Sequence, residues 1–210
     1  MKKTTVLRRL IERKRILVAP GCYNALTAKI IERAGFEVAY LSGYGISVSL
    51  LGMPDVGLAT MTEVHTIARY VANAVSIPVI ADSDTGYGNA INVMRTVKEY
   101  IQTGVAGIHI EDQITPKRCG HVAGKILVPM EEAVGKFMAA DAARKEMDPE
   151  FVIIARTDAR GAVGGSLEEA ILRANAYAKA GADMAFIEAP LSQEELRKIV
   201  KEVHAPILYN

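Results

Sequence analysis

Residues 107–121 read GIHIEDQITPKRCGH. Gly107-Ile108-His109-Ile110 is a short apolar run of the kind that forms a strand covered on both faces. Two acids, Glu111 and Asp112, follow at its C-terminal end, and a loop then presents Lys117, Arg118, Cys119, Gly120 and His121. One segment thus supplies carboxylate oxygens, two fixed cations, a thiol and an imidazole beyond the end of a buried strand.

The same unit repeats on both sides. MKKTTVLRRLIERKR reads as an amphipathic helix, and Ile16–Ala19 as a first strand ending at Pro20-Gly21. A helix over 24–34, with Asn24 as N-cap, leads to a second strand, Glu37–Leu41, which ends in Ser42-Gly43-Tyr44-Gly45. Residues 45–60 form a long connection with one helical turn around Val48–Leu51, and it carries Pro54-Asp55. Thr60-x-x-Glu63 is a capping box opening a helix to Val75. Strand three, Pro78–Ala81, runs into Asp82-Ser83-Asp84-Thr85-Gly86-Tyr87-Gly88, and a helix over 89–102 leads to the strand at 107. Beyond the central loop, a helix begins at Pro129 and strand five, Phe151–Ala155, runs into Arg156-Thr157-Asp158. Ser166-x-x-Glu169 caps the next helix, Asp183–Ile187 is strand six ending at Glu188, Ser192-x-x-Glu195 caps another helix, and Pro206–Tyr209 is strand seven, followed by Asn210.

Strand, loop and helix alternate at roughly 30 residues per unit, the requirement of βαβ units with parallel strands. Strands two, four and six follow helices ending in Gly35, Gly104 and Gly181, whereas strands three, five and seven follow or begin on Pro78, Pro149 and Pro206. Odd and even strands differ in the interior layers of a closed barrel. The expectation is one α/β domain over 1–210, a (β/α)8 TIM-type barrel truncated after strand seven, lacking the last helix, strand eight and final helix. An open doubly wound sheet is the alternative.

The chain has 210 residues, 50% hydrophobic, with net charge +1, enough for one core and without the basic surplus of a nucleic-acid groove or membrane surface. No apolar run reaches spanning length, and the N-terminal segment carries no apolar h-region. Cys22 and Cys119, without a secretion signal, read as free thiols of a reducing, cytoplasmic compartment.

Every strand-to-helix loop is polar, and in parallel α/β architectures sites form at that end. Asp82, Asp84 and Glu111 read as a hard-cation site for Mg2+, with Mn2+ as substitute, or else the two aspartates serve only as Asx-turns. Cys119, between Arg118 and Gly120-His121, reads as an acid/base thiol, since nearby cations lower a thiol's pKa, with a nucleophile or an inert buried thiol as the alternatives. Arg156, ending a buried strand, is a carboxylate clamp or pairs with Glu188 or Asp158. Ser42-Gly43-Tyr44 offers hydroxyl and backbone N–H donors to a second carboxylate. Asp55 and His65 carry weaker signals, and His109 reads as a hydrogen-bonded core histidine.

Together these residues resemble the isocitrate lyase and phosphoenolpyruvate mutase superfamily, from Pro20 to Asn210. Its lyase signature K-[KR]-C-G-H stands intact as Lys117 to His121, and Tyr40-Leu41-Ser42-Gly43, Asp82-x-Asp84-Thr85-Gly86-Tyr87-Gly88, Gly107-x-His109-Ile110-Glu111-Asp112-Gln113 and Ile154-Ala155-Arg156-Thr157-Asp158 match as well. The compact spacing is similar to the branch that cleaves 2-methylisocitrate and 2,3-dimethylmalate. The resemblance implies a (β/α)8 barrel in a homotetramer with its last helix swapped, and Mg2+ held by Asp82 and Asp84 with Glu111 nearby or acting through water. It places Ser42, Gly43, Tyr44, Asp55, Cys119, Gly120, His121, Arg156, Glu188 and Asn210 around a small carboxylate substrate. Retro-aldol cleavage of a 2-hydroxy acid to pyruvate and a second acid follows, with Cys119, Tyr40, Arg156 and Glu188 as the catalytic set and no nucleic-acid or membrane partner. Phosphonate chemistry, action on oxaloacetate, or a truncated non-catalytic chain are the alternatives. Two positions depart from the pattern: Tyr44 stands where the methylisocitrate enzymes have Gly, pointing to a smaller substrate, and Val122 where a longer or polar side chain is usual.

Overall fold

A computed structural model describes residues 1–13 and 15–210; the part of the N-terminal helix expected at Lys14 lies outside the described residues. The strands are β1 (Gly21–Cys22), β2 (Ala39–Leu41), β3 (Val79–Asp82), β4 (Gly107–Glu111), β5 (Val152–Thr157), β6 (Met184–Ile187) and β7 (Ile207–Leu208). They pair in sequence order, every pair parallel. A doubly wound sheet reverses its strand order at a switch point. This sheet does not, so its seven strands form the curled wall of a TIM-type α/β barrel. Among the described residues β1 pairs only with β2 and β7 only with β6.

The helices are α1 (Lys3–Ile11), α2 (Ala25–Arg33), α3 (Gly43–Ile46), α4 (Met61–Ala74), α5 (Ala90–Thr103), α6 (Met130–Met147), α7 (Leu167–Lys179) and α8 (Gln193–Glu202). The expected caps form: Asn24, Thr60, Ser166 and Ser192 each accept a backbone N–H three residues on. None of the described helices is long and apolar enough to cross a membrane.

Strand register builds the barrel interior in rungs. Tyr40, Ile80, Gly107 and Val152 lie level; above them come Asp82, His109, Ile154 and Met184; above those, Glu111, Arg156, Phe186 and Leu208. The lower positions are apolar and the upper ones carry the charge. Gly107 is required where it stands, because a Cβ there would lie 2.6 Å from the Val152 carbonyl oxygen. α1 closes the lower end. Leu7 and Leu10 are buried against Val38, Ile80, Ile154, Met184 and Phe186, each burial stabilising by about 1.5–3 kcal/mol. Arg8 ties the helix to the plain loops below, donating to the Glu150 carbonyl at 2.8 Å and to Asp183 at 3.1 Å.

The first strand falls elsewhere than expected. Ile16–Ala19 is not a strand: Ile16 and Val18 are exposed while Leu17 and Ala19 pack on the interior cluster. The ladder to β2 begins with Tyr40 N–H donating to the Pro20 carbonyl at 2.9 Å, and β1 is Gly21–Cys22. Residues 16–19 lie below the first paired residue of β2, so their alternation has no strand to register against. The single turn expected near Val48 is α3 running into a π-helical turn, Ser47–Leu51, stopped by Gly52 at φ 63°.

Candidate active site

The upper rungs and the strand-to-helix loops meet at the mouth of a cavity of about 830 Å³. Tyr40, Ser42, Tyr44, Asp55, Asp82, Cys119, Gly120, His121, Arg156, Glu188 and Asn210 all line it. These come from five strand ends and the 113–128 loop, so nearly every expected site residue is brought together.

Asp82 is held on three sides. Its Oδ1 accepts the Asp84 N–H at 2.8 Å and lies 3.3 Å from His109 Nε2, and its Oδ2 accepts the Gly43 N–H at 3.2 Å. Burial pushes its pKa up, but His109, Lys117 and Arg156 hold it below the usual carboxylate range. The Gly43 N–H, expected to meet a substrate carboxylate, is therefore engaged with Asp82, and a Cβ on Gly43 would overlap that carboxylate. Ser42 Oγ accepts the Gly45 N–H at 3.1 Å, capping α3, which leaves its own hydrogen free to donate.

Lys117 points inward rather than to solvent. Its Nζ is 2.6 Å from Asp55 Oδ1 and 2.9 Å from Asp84 Oδ1. Burial would push it down, yet Asp82, Glu111, Asp84 and Asp55 hold it well above its ordinary value. Asp84 is pushed up to about 6, by burial first and then by Asp82, against the pull of Lys117. Its φ of 46° is left-handed, a conformation that aspartate tolerates better than most residues.

Arg156 is buried and lies over the Phe186 ring at 5.2 Å. It makes a two-pronged pair with Asp158, Nε to Oδ2 and Nη2 to Oδ1, both at 3.0 Å. Glu111 Oε2 is 3.2 Å from Nε and Glu188 Oε2 is 3.5 Å from Nη2. Both expected partners are present, and a third acid as well. Burial pushes Glu111 well above the carboxylate range, with Arg156 opposing. Both oxygens of Glu111, and Oε2 of Glu188, are buried without a hydrogen bond.

The 113–128 loop is anchored along its length. The Gln113 side chain donates to the Arg118 carbonyl and accepts its N–H, both at 2.9 Å, and Gln113 and Leu127 form an antiparallel bridge. Cys119 is half-buried on the cavity wall. Gly120 is pressed onto the Arg156–Glu188 pair so closely that an added Cβ would overlap both. Gly120→Ala is accordingly expected to push the loop off Arg156 and lower turnover roughly 100-fold, the scale of a small misplacement of reacting groups. Steady-state kinetics beside a thermal melt would check this; wild-type turnover would show that the loop does not need that contact. His121 is exposed, with Nε2 3.6 Å from Glu188 Oε1.

His109 is more than a core histidine. It is fully buried, stacks on Tyr40 with ring centroids 5.7 Å apart, and lies edge-on to Phe186. Its Nε2 is 2.5 Å from Tyr40 Oη. Burial and then Asp82 hold the Tyr40 phenol well above its ordinary pKa. A free phenolate is therefore disfavoured, and Tyr40 can accept a proton only while giving its own to His109. His65 stands apart, 3.9 Å from Glu99 on the helical layer.

Asp82, Asp84 and Glu111 do not converge as three direct ligands; among the described residues no three His, Cys, Asp or Glu side chains form such a group. Lys117 holds Asp84, two backbone N–H groups hold Asp82, and Arg156 faces Glu111. The donor chemistry nevertheless fits a hard divalent cation. Six acids (Asp55, Asp82, Asp84, Glu111, Asp158 and Glu188) crowd three fixed cations (Lys117, Lys125 and Arg156), with the Glu111 carboxylate lacking any hydrogen bond. Oxygen-only ligation with few protein ligands is the habit of Mg2+. Lys125 went unnoticed in the sequence; its one signal is a lysine abutting the apolar run Ile126-Leu127-Val128.

Residues 7–209 match the family model described as phosphoenolpyruvate phosphomutase. The chain is 50% identical over 210 residues to 2,3-dimethylmalate lyase of Eubacterium barkeri, covering all of this chain and 71% of that protein. It is 50% identical over 205 residues to 2-methylisocitrate lyase of Aeropyrum pernix, covering 98% of this chain and 64% of that protein. The solved structure of oxaloacetate acetylhydrolase in complex with 3,3-difluorooxalacetate superposes with a TM-score of 0.95 at 39% identity, over all of this chain and 71% of that one. The chain thus spans about two thirds of the length of these relatives. On the match along residues 7–209 and this identity, the chain belongs to the phosphoenolpyruvate phosphomutase family, within the PEP mutase/isocitrate lyase superfamily.

Proposed function

We propose that the site performs Mg2+-dependent carbon–carbon cleavage of a 2-hydroxy di- or tricarboxylate of the 2-methylisocitrate or 2,3-dimethylmalate type. The products are pyruvate and a second carboxylic acid. The observation that carries this reading is that Cys119 and Gly120, the latter pressed onto Arg156 and Glu188, line the same cavity as Tyr40 and Asp82. The names of the two lyase relatives agree with it.

Asp82 and Asp84, with Glu111 beside them, would hold Mg2+ or Mn2+, which supplies Lewis-acid polarisation of the 2-hydroxyl and its carboxylate. Tyr40 takes the hydroxyl proton as it passes its own to His109 Nε2, and Asp82 at 3.3 Å steadies the resulting imidazolium. The electron pair of that O–H bond becomes the carbonyl of pyruvate. The C–C pair moves onto the departing acid as an enolate-like dianion, whose charge Arg156 and the Gly120 loop face. Cys119 protonates that carbon; the thiolate then recovers its proton from solvent, and the proton held on His109 returns through Tyr40 to solvent as product leaves, which closes the cycle.

A second reading, hydrolysis of oxaloacetate, is favoured by the TM-score of 0.95 to an oxaloacetate acetylhydrolase. One assay separates the two. The 210-residue protein with Mg2+ is given 2-methylisocitrate, 2,3-dimethylmalate, isocitrate and oxaloacetate. Pyruvate from either of the first two, abolished by EDTA, is the expected result. Oxalate and acetate from oxaloacetate alone would replace the lyase reading with the hydrolase.

A further inference from the structure

Lys125 lies five residues past Gly120 and takes no part in the chemistry above. Its side chain is buried, 3% exposed. A buried ammonium is costly unless acceptors meet its N–H groups. It donates to the Gly120 carbonyl oxygen, and Asp158 Oδ1 stands 3.6 Å away. Asp158 is the carboxylate that grips Arg156 through two hydrogen bonds. Lys125 is itself immobilised: its carbonyl accepts the Val163 N–H at 2.9 Å, and it bridges to Ala162 on the stretch that follows β5. Its ammonium also leaves little room at Gly161, where an added Cβ would lie 3.2 Å from Nζ.

The result is a continuous path from the Gly120 carbonyl through Lys125 and Asp158 to the Arg156 guanidinium. Gly120 leaves no room for a side chain beside Arg156 and Glu188, where an added Cβ would overlap both. We propose that Lys125 is a positioning residue whose ammonium bridges the Gly120 carbonyl to Asp158 and so locks the Cys119–Gly120 turn onto the Arg156–Glu188 pair. Hydrogen-bonding capacity and charge are both used: the first fixes the turn, the second is aimed at Asp158. The consequence for turnover rests on the lyase reading, but the geometry of the lock does not.

The test compares wild type with Lys125→Met, which keeps the volume of the stem and removes every donor, and with Lys125→Gln, which keeps an N–H donor without charge. The readout is iodoacetamide alkylation of the two thiols, followed by mass spectrometry on the folded 210-residue protein. Cys22 is fully buried and serves as internal reference, whereas Cys119 is half-buried on the loop. The expected result for Lys125→Met is a Cys119 rate raised roughly 10- to 100-fold over that of Cys22, the factor for losing one hydrogen bond from a charged donor. Lys125→Gln should show a smaller rise. Where turnover is measurable, kcat and kcat/KM should fall together, since the lock is needed for the step and not for capture. An unchanged Cys119-to-Cys22 ratio in a folded variant, or both thiols accelerating alike, overturns the proposal whether or not the chain is a lyase. If Lys125→Met does not fold, Lys125→Gln alone decides by the same ratio.

Discussion

Cys119→Ser is expected to lower turnover about 10²- to 10⁴-fold, the range for removing a positioned general acid, while KM and thermal stability stay near wild type. A thiol is a much stronger acid than an alcohol, so serine in the same place is too weak an acid for the departing carbanion. The substitution is otherwise mild. Cys119 is half-buried, and its backbone carbonyl still accepts the Val122 N–H at 2.9 Å. Gly120 remains against Arg156, so the loop has no reason to move. Steady-state kinetics of pyruvate release, with solvent deuterium counted in the second product, tests both halves. Loss of rate with KM held is the signature of a group used in the transition state. Turnover equal to wild type would remove Cys119 from the chemistry and leave Arg156 and the loop as binding elements only.

The barrel wall was legible because parallel strands buried on both faces appear as apolar runs, each released by a polar loop. Parity was legible too. Glu111 and Asp112 are adjacent in sequence, so only one can face the interior, and Glu111 does, level with Arg156 and 3.2 Å from its Nε. Asp112 faces the helices, where Thr157 Oγ1 and Tyr177 Oη donate to it at 2.7 Å and its other oxygen holds the Asp158 N–H at 3.1 Å. What pattern could not convey is where a long side chain ends. Lys117 and Lys125 sit on a loop, where lysine is most often solvated, yet both ammonium groups are buried among acids from other strands. His109 read as core because it lies inside a strand. Only the register that sets it level with Asp82, one rung above Tyr40, shows that it joins the two. Spacing along the chain likewise gives the acids Asp84 and Glu111 but not the cations they turn toward, Lys117 and Arg156.

Arg156→Leu is expected to destabilise the fold by about 3–5 kcal/mol, the scale of breaking a buried charge network from one side, which lowers Tm by roughly 6–20 °C for a chain of this size. Leucine keeps the inner part of the apolar stem and loses the guanidinium over Phe186, so the charge network is the larger of the two losses. Glu111, Asp158 and Glu188 keep their buried positions without the guanidinium that faces all three. Burial already holds Glu111 above the usual carboxylate range, and Arg156 opposes that rise; its removal lets Glu111 climb further. A carboxyl whose folded pKa is raised binds more protons folded than unfolded, so stability is greatest below the unfolded value of about 4.3 and is lost as pH rises through the folded one. The penalty of Arg156→Leu should accordingly be smallest near pH 4.5 and largest near pH 8, as measured by urea unfolding of both proteins at the two pH values. A penalty independent of pH would mean that Glu111 does not titrate against Arg156, and its partner would have to be sought in another cation. Arg156→Lys separates frame from function. One ammonium still offsets the acids, so most of the stability should return, but it lacks the two-pronged grip on Asp158 and the planar edge for a substrate carboxylate, so turnover should remain low.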